Sequence, residues 1–231
     1  MSETEHAPKP ALIVVMGVAG TGKTTLARAL SETLRLPYIE GDELHPPENI
    51  AKMSAGHPLT DADREPWLAL LRTTAEHLIA EQQKEGTPDP KPEMEHVHEP
   101  VGTDTLTSSD APRRRAGALV TCSALRKYYR DILRGELRPN LPKPLHTLEP
   151  PVSPSTLPTY FVYIKGERDL LLDRVAKRQG HYMKANMVDS QLETLEDPEG
   201  EEGVIVVGMN DTTEEQLKKV LEELNQVTDG L

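Results

Sequence analysis

Gly17-Val18-Ala19-Gly20-Thr21-Gly22-Lys23-Thr24 lies at the junction of two different patterns. Before it, Ala11-Leu12-Ile13-Val14-Val15-Met16 is a short apolar run rich in β-branched residues, the signature of a strand buried on both faces of a parallel sheet. After it, Leu26, Ala27, Leu30 and Leu34 recur on one face and predict a helix over 24–34. At such a junction the pattern G-x-x-x-x-G-K-[ST] has a mechanical meaning. The glycines let the backbone curl so that its N–H groups point inward, and the helix N-terminus adds partial positive charge. Residues Gly17 to Thr24, with Thr25 behind them, are therefore expected to cradle phosphates. Lys23 has the reach to meet β- and γ-phosphates, and the Thr24 hydroxyl can bind Mg²⁺.

Outward from this loop, strands and helices alternate. Pro37-Tyr38-Ile39-Glu40 reads as a second strand, 49–54 as a short helix ended at Gly56, and 66–83 as a long amphipathic helix with Pro66 in its first turn. Further strands are expected at 116–121, 160–164 and 204–207, and helices at 124–134, 169–178, 187–195 and 213–227. This alternation predicts a three-layer α/β/α P-loop fold: a five-stranded parallel sheet with helices on both faces. One domain accounts for 231 residues. Residues 1–9 read as a polar tail. Stretches 86–115 and 136–158, rich in proline and lacking periodicity, read as flexible insertions with too few apolar residues to bury a core.

Composition excludes several classes. A formal net charge of -12 argues against non-specific binding to nucleic acid or anionic membrane, while leaving room for a locally basic cleft. Cys122 is the only cysteine, so an intramolecular disulfide is impossible and a reducing compartment is the simple expectation. The start Met1-Ser2-Glu3-Thr4-Glu5-His6 lacks the basic and apolar regions of a leader, and no apolar run approaches a membrane span. A cytoplasmic protein is expected. The Asn-Lys-x-Asp guanine motif is missing and the chain is short for a motor ATPase. Among P-loop proteins a small-molecule kinase using ATP and Mg²⁺ fits best.

The acceptor side is expected at Glu40-Gly41-Asp42-Glu43-Leu44-His45-Pro46, because carboxyl ends of parallel strands are where ligands bind. Asp42 can accept or orient the proton of an attacking hydroxyl, and Glu40 can hold a water on Mg²⁺. Asp42-Glu43-Leu44-His45-Pro46, Asn49-Ile50, Lys52-Met53, Gly56, Pro58-Leu59, Asp61, Asp63-Arg64 and Pro66-Trp67-Leu68 together resemble the gluconokinase family. Cys122-Ser123-Ala124-Leu125 with Lys127 and Tyr129-Arg130-Asp131 extends the likeness, as do Gly180-His181, Met187, Ser190-Gln191 and Glu193-Thr194-Leu195-Glu196. The likeness spans most of the chain outside the tail and insertions. It departs at Glu40, where the family often has Asp, and in the length of the insertions.

The resemblance implies phosphorylation of D-gluconate at its terminal hydroxyl, a shikimate-kinase-like fold with a mobile lid and its following helix over about 178–200, and a homodimer. A carboxylate substrate rich in hydroxyls calls for cations and donors. His45, Lys52, Arg64, Arg130 and His181 are the expected substrate contacts, with Arg126 and Lys127 also in reach. Arg64 offers the bidentate fork that lysine lacks. Arg174 and Arg178 share a helix face just before Gly180-His181 and are expected to deliver charge to the transferred phosphoryl group, alongside Lys23 and Asp42 as the catalytic set. Two rivals remain open at this level: a kinase for another acceptor, such as shikimate or a different sugar acid, and a nucleotide-binding regulatory protein.

Overall fold

The computed structural model describes residues 9–85, 97–98, 116–139, 157–177 and 185–228. Strand β1, Ala11–Met16, is buried along its whole length, as a run with no polar position requires. It lies at the centre of the sheet, paired in parallel with β4 (Gly117–Cys122) and β5 (Thr159–Lys165). Strand β2 (Tyr38–Ile39) pairs in parallel with β4, and β6 (Val204–Gly208) with β5. The five parallel strands thus run β2-β4-β1-β5-β6.

Residues of the first insertion add something its lack of periodicity concealed. Val97–His98 forms β3, antiparallel to β2 at the edge of the sheet. The expected five parallel strands are present, and the sheet as a whole has six. The rest of 86–115 and most of 136–158 lie outside the described residues, as do residues 1–8 of the tail.

Helix α1 (Lys23–Leu34) packs against α7 (Thr213–Val227), and α3 (Asp61–Glu85) against α4 (Lys127–Arg134). Leu12, Ile13, Leu26, Leu30, Trp67, Leu68 and Phe161 are among the largest side chains wholly withdrawn from water. Each stabilises the fold by about 1.5–3 kcal/mol relative to exposure. Helix α2 (Pro47–Ser54) ends as expected, with Gly56 at φ 84. Helix α7 starts on a capping box, in which Thr212 and Glu215 satisfy each other's backbone N–H groups.

Two boundaries differ from expectation by three residues or more. Helix α3 begins five residues before Pro66, so Pro66 sits inside it. The acidic first turn, Asp61 and Asp63, favours that earlier start. Helix α4 begins only at Lys127, because Ala124 takes a left-handed φ of 44 that no α-helix accommodates. Helices α5 (Arg168–Lys177) and α6 (Ala185–Thr194) flank the predicted lid, whose residues 178–184 lie outside the described set.

Candidate active site

The carboxyl ends of β1, β2 and β4 lie side by side in the sheet. Gly22 caps α1 at φ 102, a left-handed conformation suited to glycine, and a Cβ there would meet nothing within 4 Å. The loop backbone ahead of α1 therefore stays open to a phosphate chain. Lys23 Nζ donates to the Val18 carbonyl at 3.1 Å, which holds the ammonium over the loop. The Thr24 hydroxyl donates to Glu40 Oε2 at 2.8 Å.

Glu40 is the centre of a polar knot. Tyr38 and Thr121 also donate their hydroxyls to its carboxylate. Burial opposes ionisation of Glu40, yet the donations from Thr121, Tyr38 and Thr24 and the charge of Lys23 outweigh it and hold the carboxyl below its ordinary range. Burial and the Glu40 carboxylate push the Tyr38 phenol up, so it stays a donor. The longer side chain in place of Asp thus finds its partners on three elements. An ionised carboxylate one hydroxyl away from the cradle, with Thr24 between, is a hard-oxygen set compatible with Mg²⁺.

Asp42 stands on a 3-10 turn, Gly41–Leu44, just past β2. Its position is fixed by Gly41, whose N–H donates to Thr121 Oγ1 at 3.0 Å and whose carbonyl accepts from Trp67 Nε1 at 2.7 Å. A Cβ at Gly41 would fall 1.9 Å from the Thr121 carbonyl oxygen, so only glycine lets the turn approach β4 this closely. Asp42 is exposed. The Cys122 thiol reports what surrounds it. Burial first, then the nearby Asp42 charge, push it up to about 12, against the pull of a backbone bond from Ala124 and of Lys23 and Arg64. Lys23, Asp42 and Arg64 therefore all act on the end of β4.

The expected substrate residues divide. Arg64 is buried, donates Nη1 to the Leu59 carbonyl at 2.5 Å and lies 5.6 Å over the Tyr129 ring. It has no ion-pair partner among the described residues. Tyr129 in turn donates to Asp61, which holds Arg126 at 2.7 Å. Lys52 is committed to Asp63 at 2.5 Å. That ion pair does not raise the Asp63 carboxyl. Burial does so, but Lys52 and the two Thr60 donors together outweigh it and pull the carboxyl down to about 2.

His45 stacks on Trp67 with centroids 3.9 Å apart, and Asn49 Nδ2 lies 3.4 Å from its Nδ1. Burial, then the charge of Arg64, lower its pKa to about 4. The imidazole is neutral at physiological pH. A depressed folded value means that the unfolded chain takes up the proton first as pH falls. Stability is then full above about pH 6.5 and is lost progressively down to about pH 4, by roughly 3 kcal/mol at most. In chemical denaturation between those limits, His45→Gln should flatten the profile relative to the parent chain. An unchanged slope would show that His45 is not the titrating group.

Arg130, an expected substrate contact, is enclosed by the scaffold. Its guanidinium has no exposed surface and is paired to Glu201 at 2.5 Å, with Nη1 on the Ala124 carbonyl and Nη2 on the Glu196 carbonyl. Four hydrogen bonds commit it to the scaffold. Arg174 donates Nη2 to the Met209 carbonyl at 3.0 Å, which ties α5 to the loop after β6. Arg178 and His181 lie outside the described residues. Sequence reading passed over Tyr38, Asp61, Thr121, Tyr129 and Gln191. Asp61, Tyr129 and Gln191 were within reach of it, since all three fall inside the matched motifs.

A phosphate cradle, an acceptor-side carboxylate and a lid-flanking helix pair on a parallel sheet define a P-loop small-molecule kinase. No family model matches the chain. It is 40% identical to a gluconokinase of Gluconobacter oxydans (strain 621H), over 96% of this chain and 93% of that protein. It is 32% identical to the thermoresistant gluconokinase of Escherichia coli (strain K12), over 98% of this chain and 99% of the other. The crystal structure of a gluconokinase from Sinorhizobium meliloti 1021 superposes with a TM-score of 0.62 at 33% identity, over 96% of this chain and 95% of that one. The chain belongs to the gluconokinase family.

Proposed function

We propose that this chain transfers the γ-phosphoryl group of ATP to the terminal hydroxyl of D-gluconate, releasing ADP and 6-phosphogluconate. The observation that supports this is the Gly41 turn, which sets Asp42 just past Glu40, the carboxylate to which Thr24 of the phosphate loop donates. Asp42 takes the proton of the gluconate hydroxyl as its oxygen attacks phosphorus in line. The bond from phosphorus to the β–γ bridging oxygen breaks, and the electron pair leaves with ADP. Lys23 follows the charge that develops on the transferred group.

Gly17, Val18, Ala19, Gly20, Thr21, Gly22, Lys23, Thr24 and Thr25 bind the triphosphate in this reading. Thr24 holds Mg²⁺, with Glu40 behind it accepting the Thr24 proton. When bound, the ion supplies charge neutralisation on the phosphates. Glu40 then acts through Thr24 and water, since three hydroxyls already occupy its oxygens.

Arg64 is the group for the gluconate carboxylate, because a buried guanidinium with only neutral partners among the described residues has capacity for an anion. Neutral His45 and Tyr129 add hydrogen bonds to hydroxyls. Lys52 contributes through Asp63 rather than as an independent cation. Arg178 and His181 belong to the closing lid, and Arg174 braces its base. Water exclusion on closure limits hydrolysis of ATP. A buried thiol pushed up to about 12 suits the reducing cytoplasm, where it stays inert.

A coupled ADP-release assay tests the reading. Turnover with ATP and Mg²⁺ is expected to be strong with D-gluconate and near blank with shikimate, other sugar acids or no acceptor. Preference for another acceptor would overturn the substrate, and ATP binding without any acceptor-dependent turnover would favour a regulatory protein.

A further inference from the structure

One peptide unit of the phosphate loop is held from both sides. The Val18 carbonyl accepts Lys23 Nζ at 3.1 Å and the Thr21 hydroxyl at 2.9 Å. The N–H of the same unit, on Ala19, donates to Gln191 Oε1 at 2.7 Å across 172 residues of chain. Gln191 is buried on α6. That helix is itself tied down at three points. Asp189 takes Arg168 of α5 at 2.7 and 3.1 Å. Glu196, just past its end, donates its N–H to the Leu125 carbonyl at 2.8 Å, and its carboxylate accepts from Lys127 N at 2.7 Å. The third tie is Gln191.

We propose that Gln191 is a positioning residue for phosphoryl transfer: its carbonyl fixes the Val18–Ala19 peptide, and through that peptide couples the helix behind the lid to Lys23. The inference rests on the reading of the loop as a triphosphate site. Rotation of a peptide plane moves both of its ends, so freeing the Ala19 N–H also releases the carbonyl that aligns the Lys23 ammonium. A phosphate oxygen taking the Ala19 N–H would also face the Gln191 carbonyl oxygen, acceptor against acceptor. Occupancy at this end of the cradle is thereby felt at α6. Because Lys23 serves the β/γ end of the chain, the coupling bears on ATP more than on ADP.

Two near-isosteric variants separate this from packing. Gln191→Met keeps length and volume but has no comparable acceptor. Gln191→Glu keeps the acceptor and adds negative charge. Calorimetric titration with ATP and with ADP, without any acceptor sugar, should show the Gln191→Glu variant losing more affinity for ATP than for ADP, because the added negative charge opposes the more highly charged nucleotide. Gln191→Met should lower kcat about tenfold with the KM for gluconate nearly unchanged, and narrow the ATP/ADP affinity ratio. Equal losses for ATP and ADP in both variants, or no change in either, would overturn the proposal. The nucleotide titrations stand whichever acceptor is used, so a parent chain inactive on D-gluconate would sink the substrate reading and leave this test intact. A parent chain that fails to bind ATP would sink both.

Discussion

Asp42→Asn should lower kcat by about 10²–10⁴, the usual contribution of a positioned general base, while changing ATP affinity by less than about threefold. The side chains are nearly isosteric, and Asn can still hydrogen bond. What it loses is the capacity to take the proton that must leave the gluconate hydroxyl. The turn that carries it is held by Gly41, through its bonds to Thr121 and Trp67. The substitution therefore leaves the geometry of the cleft in place, and steady-state kinetics beside an ATP titration reads chemistry alone. An equal fall in kcat and rise in ATP dissociation constant would instead make Asp42 part of the nucleotide site. Near-parent turnover would remove it from the mechanism.

The contrast between Asp42 and Glu40 also marks how far sequence carried the site. Both carboxylates follow β2, and both were expected to serve the reaction. Only the three-dimensional surroundings separate them: Glu40 accepts from Tyr38, Thr121 and Thr24, whereas Asp42 is exposed. Strand, loop and helix around Gly17–Thr24 were legible because each leaves a local mark: an apolar run, a fixed glycine spacing, a 3.6-residue stripe. The edge strand Val97–His98 leaves none, because two residues are too few for a period. The late start of α4 was hidden because nothing in Ser123-Ala124-Leu125 forbids a helix; the left-handed Ala124 is imposed from outside. The Ala19–Gln191 bond was invisible for the same reason, joining positions 172 residues apart.

Arg130 shows the limit most sharply, because helical phase alone does not say which cation faces a cleft and which faces the core. Its burial carries the second large expected effect. Glu201→Leu should destabilise the fold by about 3–5 kcal/mol, the range for removing one partner of a buried ion pair. Arg130 would keep the Ala124 and Glu196 carbonyls but lose its only counter-ion among the described residues, and Arg134 would lose one of its two. The damage then spreads inward. Arg130 holds the carbonyl of the left-handed Ala124, directly after β4, where the cleft wall begins. Urea denaturation at pH 7 should show the midpoint falling at unchanged slope. The double variant Arg130→Met with Glu201→Leu should recover part of the loss, since no charge is then stranded, but not all, since two carbonyls lose their donor. A substrate role makes the opposite forecast for Arg130→Lys: a raised KM for gluconate with stability intact. The scaffold role expects lowered stability with KM nearly unchanged in the folded fraction, because the ammonium cannot reproduce four directed bonds. Measuring KM and the denaturation midpoint on that one variant therefore decides whether this arginine belongs to the acceptor site or to the wall behind it.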